Sequence, residues 1–201
     1  MAIKKIGLLG GSFDPVHLAH VELGRAAWRH LSLAQVQFIP AGLPWQRRPL
    51  SASGKQRVAM LEIAVRQDPY MLVNPIEIER GGNTYTVDTL EQLPSRADYY
   101  WILGSDQLQN FCSWHRWQDI AARVHLAVAQ RPGTPLAAPL ALQSHLGKMG
   151  RELVELPFEP VAISSTSIRE RIARGESTDD LLDVAVAQYI HRNRLYQAPA
   201  G

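Results

Sequence analysis

Along the chain, short apolar runs alternate with stretches in which apolar residues recur every three or four positions. The runs predict strands over 4–9, 35–39, 71–73, 99–103, 124–129 and 153–155. The periodic stretches predict helices over 21–31, 55–66, 87–93, 167–174 and 180–193. Strand, helix and strand in succession imply a mostly parallel sheet with helices on both faces, because each crossover returns over the sheet and covers its apolar surface. The expected fold is therefore α/β, Rossmann-like and doubly wound, in a single domain spanning residues 1–201. In such sheets ligands bind beyond the carboxyl ends of the strands. Residues 10–20 follow the first strand and Gly104-Ser105-Asp106 follow another, so both fall on that edge. The Pro- and Gly-rich stretch 131–139 reads as a loop, since only a short helical pattern follows it. No internal repeat or low-complexity tract is present.

Composition narrows the classes. A chain of 201 residues that is 46% apolar can bury one substantial core. It has no apolar run of about 18 residues, so no membrane span is expected. The start Met1-Ala2-Ile3-Lys4-Lys5 leaves no room for a signal-peptide apolar region before the first strand, and the one cysteine, Cys112, excludes an internal disulfide. A cytoplasmic protein is expected. A net charge of +2 lacks the basic excess of a nucleic-acid binder, whereas a few placed arginines suit a phosphate-rich small molecule.

The chemistry concentrates in two segments. Residues 10–20 read Gly-Gly-Ser-Phe-Asp-Pro-Val-His-Leu-Ala-His. Gly10 and Gly11 let backbone N–H groups approach an anion, and the helix that follows supplies unpaired donors and a positive dipole end. His17 and His20, three residues apart in its first turn, share one face and can address one ligand. Far downstream, residues 163–169 read Ile-Ser-Ser-Thr-Ser-Ile-Arg. Ser164 to Ser167 suit a helix cap, with Ser167 and Glu170 as a capping box. Phosphate binding uses the same helix terminus, and Arg169 adds a fork-shaped cation matched to phosphate oxygens.

Together the two segments resemble the signatures of the H-x-G-H nucleotidyltransferases, in wording nearest the bacterial nicotinate-nucleotide adenylyltransferases. The similarity runs over roughly residues 3–196. It implies transfer of an adenylyl group from ATP to nicotinate mononucleotide, releasing pyrophosphate. The resemblance places Gly10, Gly11, Ser12, Phe13, His17, His20, Gly104, Asp106, Ser165, Thr166 and Arg169 at the ATP site, with His20 and His17 catalytic. It places Arg47, Thr86, Asp106, Trp114 and His115 at the nicotinate mononucleotide: Trp114 stacks on the ring, the Thr86 and His115 amides meet the carboxylate, and Asp106 binds ribose hydroxyls. Mg²⁺ is expected to arrive with ATP, since no carboxylate cage stands out. Neither nucleic acid nor a membrane is expected as a partner, and a homo-oligomer is left open.

Other readings stay open at this level. Trp114 and Trp117 have the spacing of one face of a core helix. Asp106 suits a helix N-cap. Arg47 and Arg48 suit an exposed basic loop, and the segment has Trp45-Gln46 where the resembled family often has Pro-His. Residues 145–149 read as a solvated helix end. Ala19 replaces the motif glycine between the histidines, and its methyl would narrow the nucleotide pocket. The rival activities are phosphopantetheine adenylyltransferase, a nicotinamide-preferring transferase and a silent nucleotide-binding regulator.

Overall fold

The computed structural model describes residues 3–43, 50–130, 136–159 and 163–198. Six strands form one sheet: β1 (Lys4–Gly11), β2 (Gln35–Pro40), β3 (Met71–Val73), β4 (Ala97–Gly104), β5 (His125–Gln130) and β6 (Val154–Pro157). Their order is β3-β2-β1-β4-β5-β6, and every pairing is parallel. The sheet is thus wholly parallel, and the strand order reverses between β1 and β4. That switch point opens a crevice at the strands' carboxyl ends.

The helices described are α1 (Leu18–Leu31), α2 (Gly54–Val65), α3 (Ile76–Arg80), α4 (Thr86–Gln92), α5 (Ser105–Gln109), α6 (Trp117–Arg123), α7 (Leu140–Lys148), α8 (Ser165–Ala173) and α9 (Val184–Arg192). Neighbouring strand residues face opposite sides, which gives two cores. Leu9, Phe38, Ile102 and Ala127 pack under α1, α2, α8 and α9. Leu8, Ile39, Leu103 and Val128 pack under α4 to α7. A strand buried on both faces reads as an unbroken apolar run, which is why the runs were legible.

Helix ends moved where side chains or turns decided them. α1 starts at Leu18, three residues before the expected 21, because His17 takes the extended cap conformation. α9 starts at Val184 instead of 180, since the Leu181 and Leu182 amides bond to the Thr178 carbonyl and Asp183 accepts from the Ala185 and Val186 amides as N-cap. Four elements escaped the pattern: α3, α5, α6 and the 3₁₀ turn Phe111–Ser113, none longer than seven residues. Two turns or fewer leave too little periodicity to detect.

Gly10 and Gly11 are the last residues of β1, paired with Ile39 and Pro40. A Cβ on Gly10 would lie 2.7 Å from the Trp101 ring. The glycine therefore lets that indole lie against the backbone at the sheet edge.

Candidate active site

The first part of the site forms where β1 runs into α1. The Phe13 backbone is left-handed, with φ 48°, and its ring is buried against Gly11, Phe38 and His20. Phe13 therefore has its ring inside the core, where it supports the His20 ring edge-on at 5.0 Å. His17 is the N-cap of α1 and His20 its third residue, so the histidines straddle the helix start instead of sharing a helical turn. Their rings stack at 3.7 Å and 25°. The His17 N–H donates to His20 Nδ1 at 3.3 Å, which puts the proton of the neutral His20 ring on Nε2. Burial lowers the His17 pKa to about 4. Burial, and then the neighbouring His17, hold His20 well below the ordinary histidine range. Both rings are neutral at pH 7 without ligand, and His17 Nδ1 is buried with no partner among the described residues.

The serine-rich segment docks on the same turn. Its N-cap is Ser164, whose Oγ accepts from the Ser167 N–H at 3.1 Å. The expected capping box of Ser167 and Glu170 is not formed, because the N-cap is Ser164, three residues earlier; Ser167 lies in the first turn and donates to the Ser164 carbonyl. The Ser165 hydroxyl donates to the Pro15 carbonyl at 2.9 Å, so its hydrogen is not available to a phosphate. Arg169 donates to the Asp14 carbonyl at 2.7 Å and to Thr166 Oγ1 at 3.2 Å. Two segments some 150 residues apart in sequence thus meet at Asp14–Pro15.

Three side chains outside the expected set hold this turn. The buried Asp14 carboxylate accepts from the Ser51 N–H at 2.7 Å, the Ala52 N–H at 3.0 Å and the Tyr196 hydroxyl at 2.7 Å. Burial and that carboxylate push the Tyr196 pKa up. Arg57 is only 2% exposed and donates to the carbonyls of Ser12 at 2.8 Å and Ala41 at 2.6 Å. Burial lowers its pKa, with Asp14 opposing. A signal was present: Arg57 stands three and four residues before the buried Met60 and Leu61, a charge on the apolar stripe of α2.

A cavity of about 490 Å³ opens beside this turn at the crevice between β1 and β4. It brings together Gly10, Gly11 and Ser12 with Thr86, Asp106, Trp114 and His115 from the expected set. Glu77, Thr84, Tyr85, Trp101 and Asn110 also line it, and of these Glu77, Trp101 and Asn110 were not foreseen. His17, His20, Thr166 and Arg169 do not line it, and Arg47, Trp45 and Gln46 lie outside the described residues.

Trp114 follows the 3₁₀ turn and stands edge-on to Trp101 at 6.3 Å. Trp117 begins α6 and meets Phe111 and His145. The two tryptophans therefore do not form one face of a core helix. Asp106 lies inside α5, whose N-cap is Gly104. It is not a cap, and its carboxylate lines the cavity. His115 is exposed, its ring 4.7 Å from that of Tyr85. Ala19 is helical and half-buried, a conformation alanine favours.

Comparison with known proteins follows this geometry. The cytidylyltransferase-like family model matches residues 8–171, from β1 through Arg169. A Bordetella petrii protein named "Probable nicotinate-nucleotide adenylyltransferase" is 58% identical over 195 residues, covering 97% of this chain and 100% of the relative. A Bordetella pertussis protein of the same name is 55% identical over 197 residues, covering 98% and 100%. Among solved structures, Plasmodium falciparum nicotinic acid mononucleotide adenylyltransferase complexed with NaAD superposes with a TM-score of 0.74 at 18% identity, covering 96% of this chain and 97% of that one. At that identity the likeness speaks for the fold. The chain belongs to the cytidylyltransferase-like family and, within it, to the nicotinate-nucleotide adenylyltransferases.

Proposed function

We propose that this protein joins ATP and nicotinate mononucleotide, giving nicotinate adenine dinucleotide and pyrophosphate, a late step of NAD biosynthesis. The observation that carries the reading is the stacked pair of neutral histidines at the start of α1, beside a tryptophan-lined cavity at the sheet's switch point. A cavity of this size suits a mononucleotide.

The mononucleotide phosphate is already an anion at neutral pH, so its in-line attack on the α-phosphorus of ATP needs no general base. The protein's task is alignment and stabilisation of charge on the departing pyrophosphate. His20 Nε2–H is the donor to the α-phosphate at the transition state. His17, whose buried Nδ1 lacks a partner among the described residues, holds a neighbouring phosphate oxygen. Arg169 and Thr166, fixed to each other, anchor the β- and γ-phosphates. Ser165 contributes through its N–H, its hydroxyl being engaged. Mg²⁺ arrives with ATP, held by phosphate oxygens and water. No three His, Cys, Asp or Glu side chains converge among the described residues, so a chain-built cage is not invoked.

On the other side, Trp114 stacks on the pyridine ring, the Thr86 and His115 amides meet its carboxylate, and Asp106 takes the ribose hydroxyls. Arg47 supplies positive charge to the mononucleotide phosphate. Ser12, Gly10 and Gly11 form the shared wall between the two substrates. We propose a cytoplasmic setting, where ATP is at hand; among the described residues no helix is long and apolar enough to cross a membrane.

The test incubates the protein with Mg-ATP and, separately, nicotinate mononucleotide, nicotinamide mononucleotide and phosphopantetheine, and measures pyrophosphate. Release with the nicotinate substrate is expected. Release only with phosphopantetheine, or with none of the three, would overturn the reading.

A further inference from the structure

Resting on that reading, the structure points to a control on the pyridine side of the site that lies outside the residues assigned above. Glu77, on α3, lines the cavity yet is 5% exposed. Its carboxylate accepts from the Thr89 hydroxyl on α4 at 2.7 Å, and the Gly42 backbone amide just past β2 faces it and favours its anionic form. Arg80 donates to the same Thr89 hydroxyl oxygen at 3.2 Å.

Gly42 is tightly enclosed: a Cβ there would lie 2.6 Å from Thr84 Oγ1 and 2.7 Å from the Glu77 carbonyl. The next residue, Leu43, donates its N–H to Thr84 Oγ1 at 3.1 Å, and its carbonyl accepts from the Thr84 N–H at 3.2 Å. From the other side Arg57 holds the Ala41 carbonyl and, with the same guanidinium, the Ser12 carbonyl of the phosphate turn. The exit of β2 is therefore gripped between a cation reaching to the phosphate turn and an anion reaching to α4. Ala41, Ser12, Glu77 and Thr86 all line the cavity. These grips set how far apart its walls stand.

We propose that Glu77 is a positioning residue for the pyridine nucleotide: by bonding Thr89 while packed tightly against Gly42 it fixes the β2 exit against α4, and so fixes the width of the cavity in which the nicotinate ring lies. Burial raises its pKa, while Thr89, Arg80, Gly42 and Arg57 favour the anion. Its contacts are with the chain, so it acts through the walls and not through the reacting atoms. ATP phosphates meet the histidines and α8, away from this grip. Loss of the grip is therefore felt by one substrate.

Glu77→Gln keeps the side chain's size but offers an NH₂ to one of the two donors. Losing one buried hydrogen bond should raise KM for nicotinate mononucleotide by about fivefold to tenfold, with KM for ATP within about twofold and kcat within about threefold of the parent. Thr89→Val should move the same KM in the same direction, and Thr89→Ser, which keeps the hydroxyl, should restore it. The Thr89 pair reads the contact even if Glu77→Gln does not fold. Equal changes in both KM values, or a lowered Tm with both KM values unchanged, would overturn the proposal. An inactive parent would instead overturn the functional reading on which it rests.

Discussion

The histidine side of this site, proposed above to hold the phosphates and called here the phosphate side, and the cavity side are built in opposite ways. The phosphate side comes from two short contiguous segments that meet on one turn, Asp14–Pro15, where almost every polar atom is already bonded to the chain. His17 is buried, His20 half-buried and both are neutral, so the turn holds donors ready with little to rearrange. The cavity side draws single residues from the ends of β1 and β4, from α3 and α4, and from the turn around Trp114. Its shape depends on how those loops are held apart. Changes on the phosphate side should therefore fall on kcat, and changes on the cavity side on KM and substrate choice.

The largest break in that contrast should come from His20→Ala. Loss of a donor used chiefly in the transition state costs on the order of 3 kcal/mol, about a hundredfold in kcat, with a much smaller rise in KM for ATP. A variant within about threefold of the parent would remove His20 from the chemistry.

The cavity side is sharpened next by comparing nicotinate with nicotinamide mononucleotide. The amide NH₂ would point hydrogens at the Thr86 and His115 amides, and each buried donor left unpaired costs about 1–3 kcal/mol. The expected preference for the nicotinate substrate is at least about tenfold in kcat/KM. Equal turnover would dissolve the carboxylate assignment. Trp114→Ala should weaken both pyridine substrates by a similar factor, about tenfold, and leave ATP affinity nearly intact, because stacking does not sense the carboxylate. Calorimetric titration with each nucleotide separates these outcomes.

A smaller effect distinguishes the neutral histidine pair. Below pH 6.5 the unfolded chain protonates His17 while the folded, ligand-free chain does not until about pH 4. Ligand-free stability should therefore fall as pH drops through that window, by up to about 3 kcal/mol from His17. A bound triphosphate places negative charge beside the rings and raises their pKa, so ATP binding near pH 6 should take up protons. Titrations in two buffers of different ionisation enthalpy measure this, and zero uptake would show that the pair stays neutral beneath the phosphates.

The smallest expected effect is that of Ala19→Gly. If the methyl crowds the adenine, KM for ATP should drop by a few-fold with kcat unchanged, about 1 kcal/mol or less. An unchanged or weaker ATP affinity would mean that the turn has adapted to alanine.

The sequence by itself determined the parallel α/β sheet, because strands buried on both faces must be continuous apolar runs and crossover helices must show a 3.6-residue period. It also singled out the two segments that the structure brings together at Asp14–Pro15, since His17, His20 and Arg169 lie in contiguous stretches whose residue order is itself the signal. Tertiary structure alone decided the rest. That Ser165 spends its hydroxyl on Pro15, that Phe13 supports His20 from within the core, and that α8 is capped by Ser164 follow from how two distant segments dock. Arg57, Asp14, Tyr196 and Glu77 matter through partners 12 to 182 positions away in sequence, in helices too short or contacts too remote to leave a period. A pattern along the chain records which face a residue presents; which carbonyl or amide waits on that face is fixed only when the elements pack.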